Sequence, residues 1–245
     1  MSEIIKTEAI VLSKLNFRES STIVTFYTRA LGKVSAMIKG ARSAKSMIGM
    51  KADILNLIQI VIYSKKDREL QLVTQAELIS HYPQIKSDLE KLKYASAVVE
   101  LVQAFTVEEE VNERLFKGIT RILDLFETSN ENGGSLLVKF ILFLIKETGF
   151  EIHIDSCPVC GNELPHDRVP LYNFERGLIC DDCINNLVQS SVFPKELFKL
   201  MLGLRNNKSA TLQDQAEIEK VLVFLENYLK YHMPSFKGIR SIHLF

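Results

Sequence analysis

No apolar run in the chain is long enough to span a bilayer: Leu136 to Ile145, among the longest, is short and broken by Lys139. The N-terminus, Met1-Ser-Glu-Ile-Ile-Lys6, lacks a cleavable signal pattern and runs straight into alternating sequence. A cytoplasmic setting without membrane attachment is therefore expected. Motifs of catalysis are missing too. There is no H-E-x-x-H, and Gly32-Lys33 lacks the frame of a phosphate loop and is followed by Val34 where Ser or Thr is required. His81, His153, His166, His232 and His243 are scattered, and Asp181 and Asp182 read as charged turn residues. These absences argue against an enzyme.

What is present is an ordinary globular composition, 47% apolar and 24% charged over 245 residues, enough for two domains and a small module. The net charge of +0 hides an asymmetry. Residues 1–80 hold twelve Lys or Arg against seven Asp or Glu, and the remainder holds 18 against 23. The basic half suits a polyanion, and the acidic half a different partner.

All four cysteines fall in two C-x-x-C pairs, Cys157/Cys160 and Cys180/Cys183, separated by nineteen residues. Each pair forms a tight turn that points two thiolates at one ion, and two such turns complete a tetrahedral site. All-sulfur ligation favours zinc, with an iron–sulfur centre the lesser possibility. Disulfides suit short secreted chains, which this is not. Four thiolates leave no open coordination position, so the expected ion is structural. Gly161 and Gly177 ease the turns around it.

Residues 1–80 read as five short strands: Thr7–Leu12, Ser21–Tyr27, Val34–Gly40, Ile54–Tyr63 and Leu70–Thr74. A small closed barrel such as an OB-fold fits them, with an SH3-like barrel or small sandwich also open. Between the third and fourth strands, Lys33, Lys39, Arg42, Lys45 and Lys51 lie in nineteen residues without Asp or Glu. Small residues among them let the backbone approach phosphates, and the cations supply salt-sensitive attraction. Phe17, Phe26, Tyr27 and Tyr63 are candidates for base stacking, and alternation puts at most one of Phe26 and Tyr27 in the core.

Residues 81–245 read as helical. The expected helices run from a capping box at Ser87-Asp-Leu-Glu90 to Phe105, over Glu108–Phe126, Leu136–Glu147 and Lys195–Leu202, and from Thr211–Asp214 to Tyr231. Glu108, Glu109, Glu110 and Glu113 are expected in the first turns of the second of these. The four-cysteine module is inserted over residues 152–187. The tail from Ser235 mixes apolar and basic residues and is expected to pack back on the body.

Several stretches carry a family resemblance: Thr7-Glu-Ala-Ile-Val-Leu12, Glu19-Ser20-Ser-Thr-Ile-Val-Thr25, Gly32-Lys33, Lys39-Gly40-Ala41-Arg42 and Thr74-Gln-Ala-Glu-Leu78. They resemble the N-terminal domain of the bacterial RecO family of recombination mediators. Gly149-Phe150, Gly177 and the two cysteine pairs match that family's inserted zinc module. The resemblance spans essentially the whole chain. It implies an α+β multidomain fold: an OB-fold domain (1–80), then an α-helical domain (81–245) holding the zinc module. It implies a non-enzymatic protein that binds single- and double-stranded DNA, anneals complementary strands, and works with RecR and the C-terminal tail of single-strand-binding protein. It also implies loading of RecA in RecF-pathway repair and a nucleoid-associated place in the cytoplasm. Lys39 and Arg42 are the first DNA-binding positions it carries over. The chain departs from the family at Ser43, where a further cation and a proline often follow, which shifts weight to Lys45 and Lys51. An RNA-binding OB protein and an interaction scaffold without nucleic acid are the alternatives.

Overall fold

The computed structural model describes residues 2–43, 45–65, 70–164, 170–186, 190–206 and 211–243. They form two compact units, one comprising residues 1–130 with 240–245, the other 131–239.

The first unit is built on β1 (Ser2–Phe17), β2 (Ser21–Thr28), β3 (Gly32–Ile38), β4 (Leu57–Lys65) and β5 (Gln71–Ser80), closed in the order β1-β2-β3-β5-β4. The β3–β5 pair is parallel and the others antiparallel. This is the OB-fold barrel expected above. Alternation fills it: Val24 and Phe26 from β2, Val34, Ala36 and Ile38 from β3, and Ile58, Ile60 and Ile62 from β4 all point inward.

β1 is 16 residues long, well beyond Thr7–Leu12. Its first half pairs with β4 and its second with β2, and a bulge between Val11 and Ser13 lets it turn from one neighbour to the other. The bulge also shifts the apolar alternation, which ends the sequence pattern at Leu12. Phe26 and Tyr27 are both buried, against the expectation for that pair. They do point to opposite faces, but the outer face there is also covered, since α3 (Leu89–Phe105) packs against β1.

α1 (Met47–Lys51) and α2 (Pro83–Ser87) are short helices not foreseen from the sequence. Asp88, rather than Ser87, caps α3, its carboxylate accepting from Glu90 and Lys91 N–H. α4 is Glu113–Thr128, capped by Asn112, and buries Leu115, Ile119, Ile122, Leu123 and Phe126 as expected. Only Glu113 of the four glutamates lies in its first turn. Glu108 instead bridges to Lys33 of β3, and Glu109 N–H donates to the Lys33 carbonyl at 2.9 Å. The segment is an added piece of sheet edge rather than a helix start. The tail returns as expected: α8 (Arg240–His243) has its leading N–H groups, of Arg240 and Ser241, bound by the Glu100 carboxylate at 2.9 and 3.1 Å.

The second unit contains α5 (Gly133–Glu147), α6 (Lys195–Arg205) and α7 (Gln215–His232), with the cysteine module between α5 and α6. α5 is buried nearly all round and packs on α7. Within the module, β6 (Leu171–Asn173) pairs with β7 (Gly177–Ile179) and β8 (Ser190–Val192). An aromatic seam joins the module to α7: the Phe224 ring lies 4.9 Å from Phe193 and 5.1 Å from Tyr172, both edge-on. No helix among the described residues is long and apolar enough to cross a membrane.

Candidate nucleic-acid interface and metal centre

The basic stretch after β3 is clamped at both sides. Arg42 N–H donates to the Ser20 carbonyl at 3.0 Å. The Arg42 guanidinium donates to the Arg18 carbonyl at 2.7 Å and also to that of Glu19, tying the loop to the β1–β2 turn. On the other side Ser46 caps α1 by accepting from Gly49 N–H at 3.1 Å. A Cβ on Gly49 would sit 1.9 Å from the Ala41 carbonyl oxygen, so only glycine allows α1 to lie against the loop. Gly49→Ala is expected to destabilise the first unit by about 1–3 kcal/mol through this backbone clash, read as a lowered denaturant midpoint with unchanged slope.

The five cations divide by role. Lys39, Arg42 and Lys45 are exposed on the loop. Lys33 is half-buried and turned away from it, its ammonium donating to the Gln103 carbonyl at 3.0 Å and to that of Thr106. It closes the C-terminus of α3, where carbonyls lack helical partners. Burial pulls its pKa below the ordinary lysine value, and Glu108 opposes the shift. Lys51 donates to the Ala76 carbonyl at 3.0 Å, fastening α1 to β5. Nothing in the local sequence distinguishes these two anchors from their neighbours. Their acceptors are backbone carbonyls 70, 73 and 25 residues away.

Among the stacking candidates, Tyr63 is 42% exposed. Phe17 is half-buried beneath the Arg18 guanidinium, 5.2 Å from its ring centre.

In the second unit the two C-x-x-C pairs converge. The four sulfur atoms lie within 4.8 Å of one another, and Cys160 Sγ is 3.6 Å from Cys180 Sγ. All four cysteines are free. The first turn closes through Gly161 N–H donating to Cys157 O and Cys157 N–H to Asn162 O, both 2.8 Å. The second follows the β6–β7 hairpin, with Cys183 N–H donating to Cys180 O at 3.1 Å. Gly161 and Gly177 have φ of 76° and 95°, as those turns require.

A tetrahedron of sulfurs at ~2.3 Å from a central ion has edges of ~3.8 Å, close to the Cys160–Cys180 separation. The titration of the thiols also fits an ion. Burial works against ionisation of Cys157, but backbone N–H groups of Cys180, Cys160 and Val159 outweigh it and bring its pKa down to about 6. Cys183 is pushed up to about 12 by its hydrogen bond with Cys180 and by burial. So tight a group cannot ionise together without a cation at its centre. The donor set therefore fits a bound metal. His153 is exposed beside the first pair, and His166 lies outside the described residues.

Comparison with known proteins joins these sites. The family model described as Recombination protein O N terminal matches residues 1–82, and that described as Recombination protein O C terminal matches residues 86–238. The chain belongs to the RecO family. Three relatives named DNA repair protein RecO place it further. That of Chlorobium limicola is 26% identical over 94% of this chain and 93% of its own length. That of Alkaliphilus metalliredigens is 31% identical over 74% of this chain and 72% of its own. The Chlorobium phaeobacteroides protein is 33% identical over 65% of this chain, a match spanning 61% of the relative. A RecO chain thus carries an OB barrel with a clamped basic loop, and a cysteine cluster in a separate unit.

Proposed function

We propose that the protein is a non-enzymatic DNA repair mediator that binds single- and double-stranded DNA through its barrel and anneals complementary strands. With RecR it would help load RecA onto DNA coated by single-strand-binding protein. The observation that carries the reading is the clamped loop: Lys39 and Lys45 are exposed, Arg42 is exposed while its guanidinium ties the loop to the β1–β2 turn, and residues 33–51 contain no carboxylate. Lys33 and Lys51 serve the DNA site indirectly, by fixing the surrounding backbone.

Annealing needs no covalent chemistry. Two phosphate chains repel, and a cationic loop that screens both lets them approach while contacts too weak to sequester bases leave them able to pair. Zinc is the ion we assign to Cys157, Cys160, Cys180 and Cys183, because all-thiolate tetrahedral ligation selects it. When bound, it cross-links the two turns and supplies no reactive position. For the acidic tail of single-strand-binding protein, the second unit offers a cleft of about 610 Å³ where Lys139 and Lys146 lie beside Leu142, Phe143 and Met201. Lys139 is paired with Glu131 and Lys146 with Glu151, and Asp155 also lines the cleft, so an acidic tail would have to displace these carboxylates.

The test is an annealing assay with complementary strands coated by single-strand-binding protein, with RecR present or absent, and with matched DNA and RNA competitors. Annealing well above the spontaneous rate, competed by DNA, is expected. No acceleration together with preferential competition by RNA would favour an RNA-binding role instead.

A further inference from the structure

The four sulfurs of the cysteine cluster are not equally open to solvent. Cys157 is fully buried, Cys180 is 9% exposed and Cys183 is half-buried, whereas Cys160 is exposed. The local fold sets this order. Hydrogen bonds at both the N–H and the carbonyl of Cys157 pin it at the base of the first turn. Cys160 comes at the end of that turn between exposed Val159 and exposed Gly161, and a reagent arriving from water meets its sulfur first. Its Sγ lies 3.6 Å from Cys180 Sγ, across the gap between the two turns. A disulfide needs ~2.05 Å, so the two sulfurs have only ~1.6 Å to close.

The charge around the cluster selects what reaches it. Exposed Asp155 and Glu163 flank the first turn, and exposed Asp181 and Asp182 sit between Cys180 and Cys183. Residues 152–164 and 177–186 contain no Lys or Arg, and Arg176, on the β6–β7 turn, is the nearest cation in sequence. An anionic oxidant such as glutathione disulfide is repelled by this field, while a small neutral hydroperoxide is not. We infer that Cys160 is a site of oxidation by hydroperoxides, that Cys180 resolves it, and that the resulting disulfide replaces the metal as the link between the two turns. The inference rests on the metal-centre reading and adds a second, metal-free state of the same module.

With hydrogen peroxide as oxidant the chemistry balances. The Cys160 thiolate attacks one peroxide oxygen, the O–O bond breaks, and the departing oxygen takes a proton to form water, leaving a sulfenic acid. The Cys180 thiolate attacks that sulfur, the S–S bond forms, and hydroxide leaves and takes a second proton. Two thiolates are oxidised to a disulfide, one peroxide is reduced to two waters, and two protons are consumed. Only Cys157 and Cys183 remain as ligands, too few for a closed site, and the metal is released. Pairing within each C-x-x-C turn would leave the turns unlinked. A Cys160–Cys180 bond instead ties the first turn to the end of the β6–β7 hairpin, whose Tyr172 stays packed on Phe224 of α7. The module thus loses its metal and keeps its fold, and a thiol reductant with fresh metal restores it.

The test treats the full-length, metal-loaded chain with hydrogen peroxide. Released metal is followed with a chromogenic indicator, free thiols by alkylation, and disulfides by peptide mass mapping. Release of about one ion per chain is expected, with two of the four thiols lost to a Cys160–Cys180 disulfide and residues 152–187 still resistant to limited proteolysis. Glutathione disulfide at equal concentration should release metal about tenfold more slowly or less. Asp181→Asn/Asp182→Asn should narrow that difference and leave the peroxide rate unchanged, and an unchanged difference overturns the selection by charge. Disulfides within the turns, a sulfinic or sulfonic acid at Cys160 in place of a disulfide, or a module that becomes protease-sensitive on oxidation overturns the inference. If the chain as isolated carries no metal but peroxide still forms the Cys160–Cys180 bond, the metal reading falls and the oxidation site stands. A metal-loaded chain whose thiols resist peroxide shows the reverse.

Discussion

Glutamine at Lys39, Arg42 and Lys45 together is expected to lower single-stranded DNA affinity by about a hundredfold in ~0.1 M salt, with the loss disappearing toward ~1 M. The size follows from counterion release. Each phosphate contact on a single strand contributes ~0.7 to the slope of log affinity against log salt, so three contacts contribute ~2. Over one decade of salt that is two decades of affinity. Arg42 also holds the β1–β2 turn through the Arg18 and Glu19 carbonyls, so its loss combines charge with positioning. The Lys39→Gln/Lys45→Gln pair isolates the charge and should lower the slope by ~1.4. Parallel salt titrations of parent and variants decide the matter. An unchanged slope in the triple variant would remove the loop from the interface.

The second large effect concerns the cysteine cluster. Cys157→Ser removes a fully buried sulfur of the cluster and leaves three ligands where a closed site needs four. Near-complete loss of bound metal is expected, with residues 152–187 becoming sensitive to limited proteolysis. A strong chelator should reproduce this in the parent chain, because ion binding and folding of such a module are one equilibrium. Reloading should release protons, since the Cys183 thiol, near 12 without an ion, must ionise to bind one. Metal content that stays near one ion per chain in Cys157→Ser would refute the ligand assignment. Oligothymidylate affinity should stay within about twofold of the parent, as the loop and the cluster belong to different units.

These sites differ in how openly the sequence carries them. The cysteine cluster is legible because its geometry is local: each C-x-x-C turn is specified within five residues, and the chain has no other cysteine to confuse the pairing. β2 and β3 are legible because their alternation is unbroken. β1 is not, because one bulged residue at Leu12 changes which side of the strand is apolar. The glutamates at 108–110 resemble a helix start until Lys33 of β3 takes up that backbone. Lys33 and Lys51 look like surface cations, and only the fold reveals the carbonyls that occupy them. The aromatic seam of Tyr172, Phe193 and Phe224 is likewise invisible as pattern, since it joins residues up to about fifty positions apart.

The double allegiance of β1 bears on how the barrel is made as the chain leaves the ribosome. Its second half meets β2 across a three-residue turn, so that hairpin can form at once. Its first half must await Leu57–Lys65, almost fifty residues later, which at ordinary synthesis rates is a delay of roughly 3–10 s. During that interval Ile4, Ile5 and Ile10 lie on an open strand edge, the kind of edge that pairs with other chains. Closure also needs the parallel β3–β5 contact, another pairing of distant segments, so the nascent barrel depends on its slowest contacts to hide its stickiest edge.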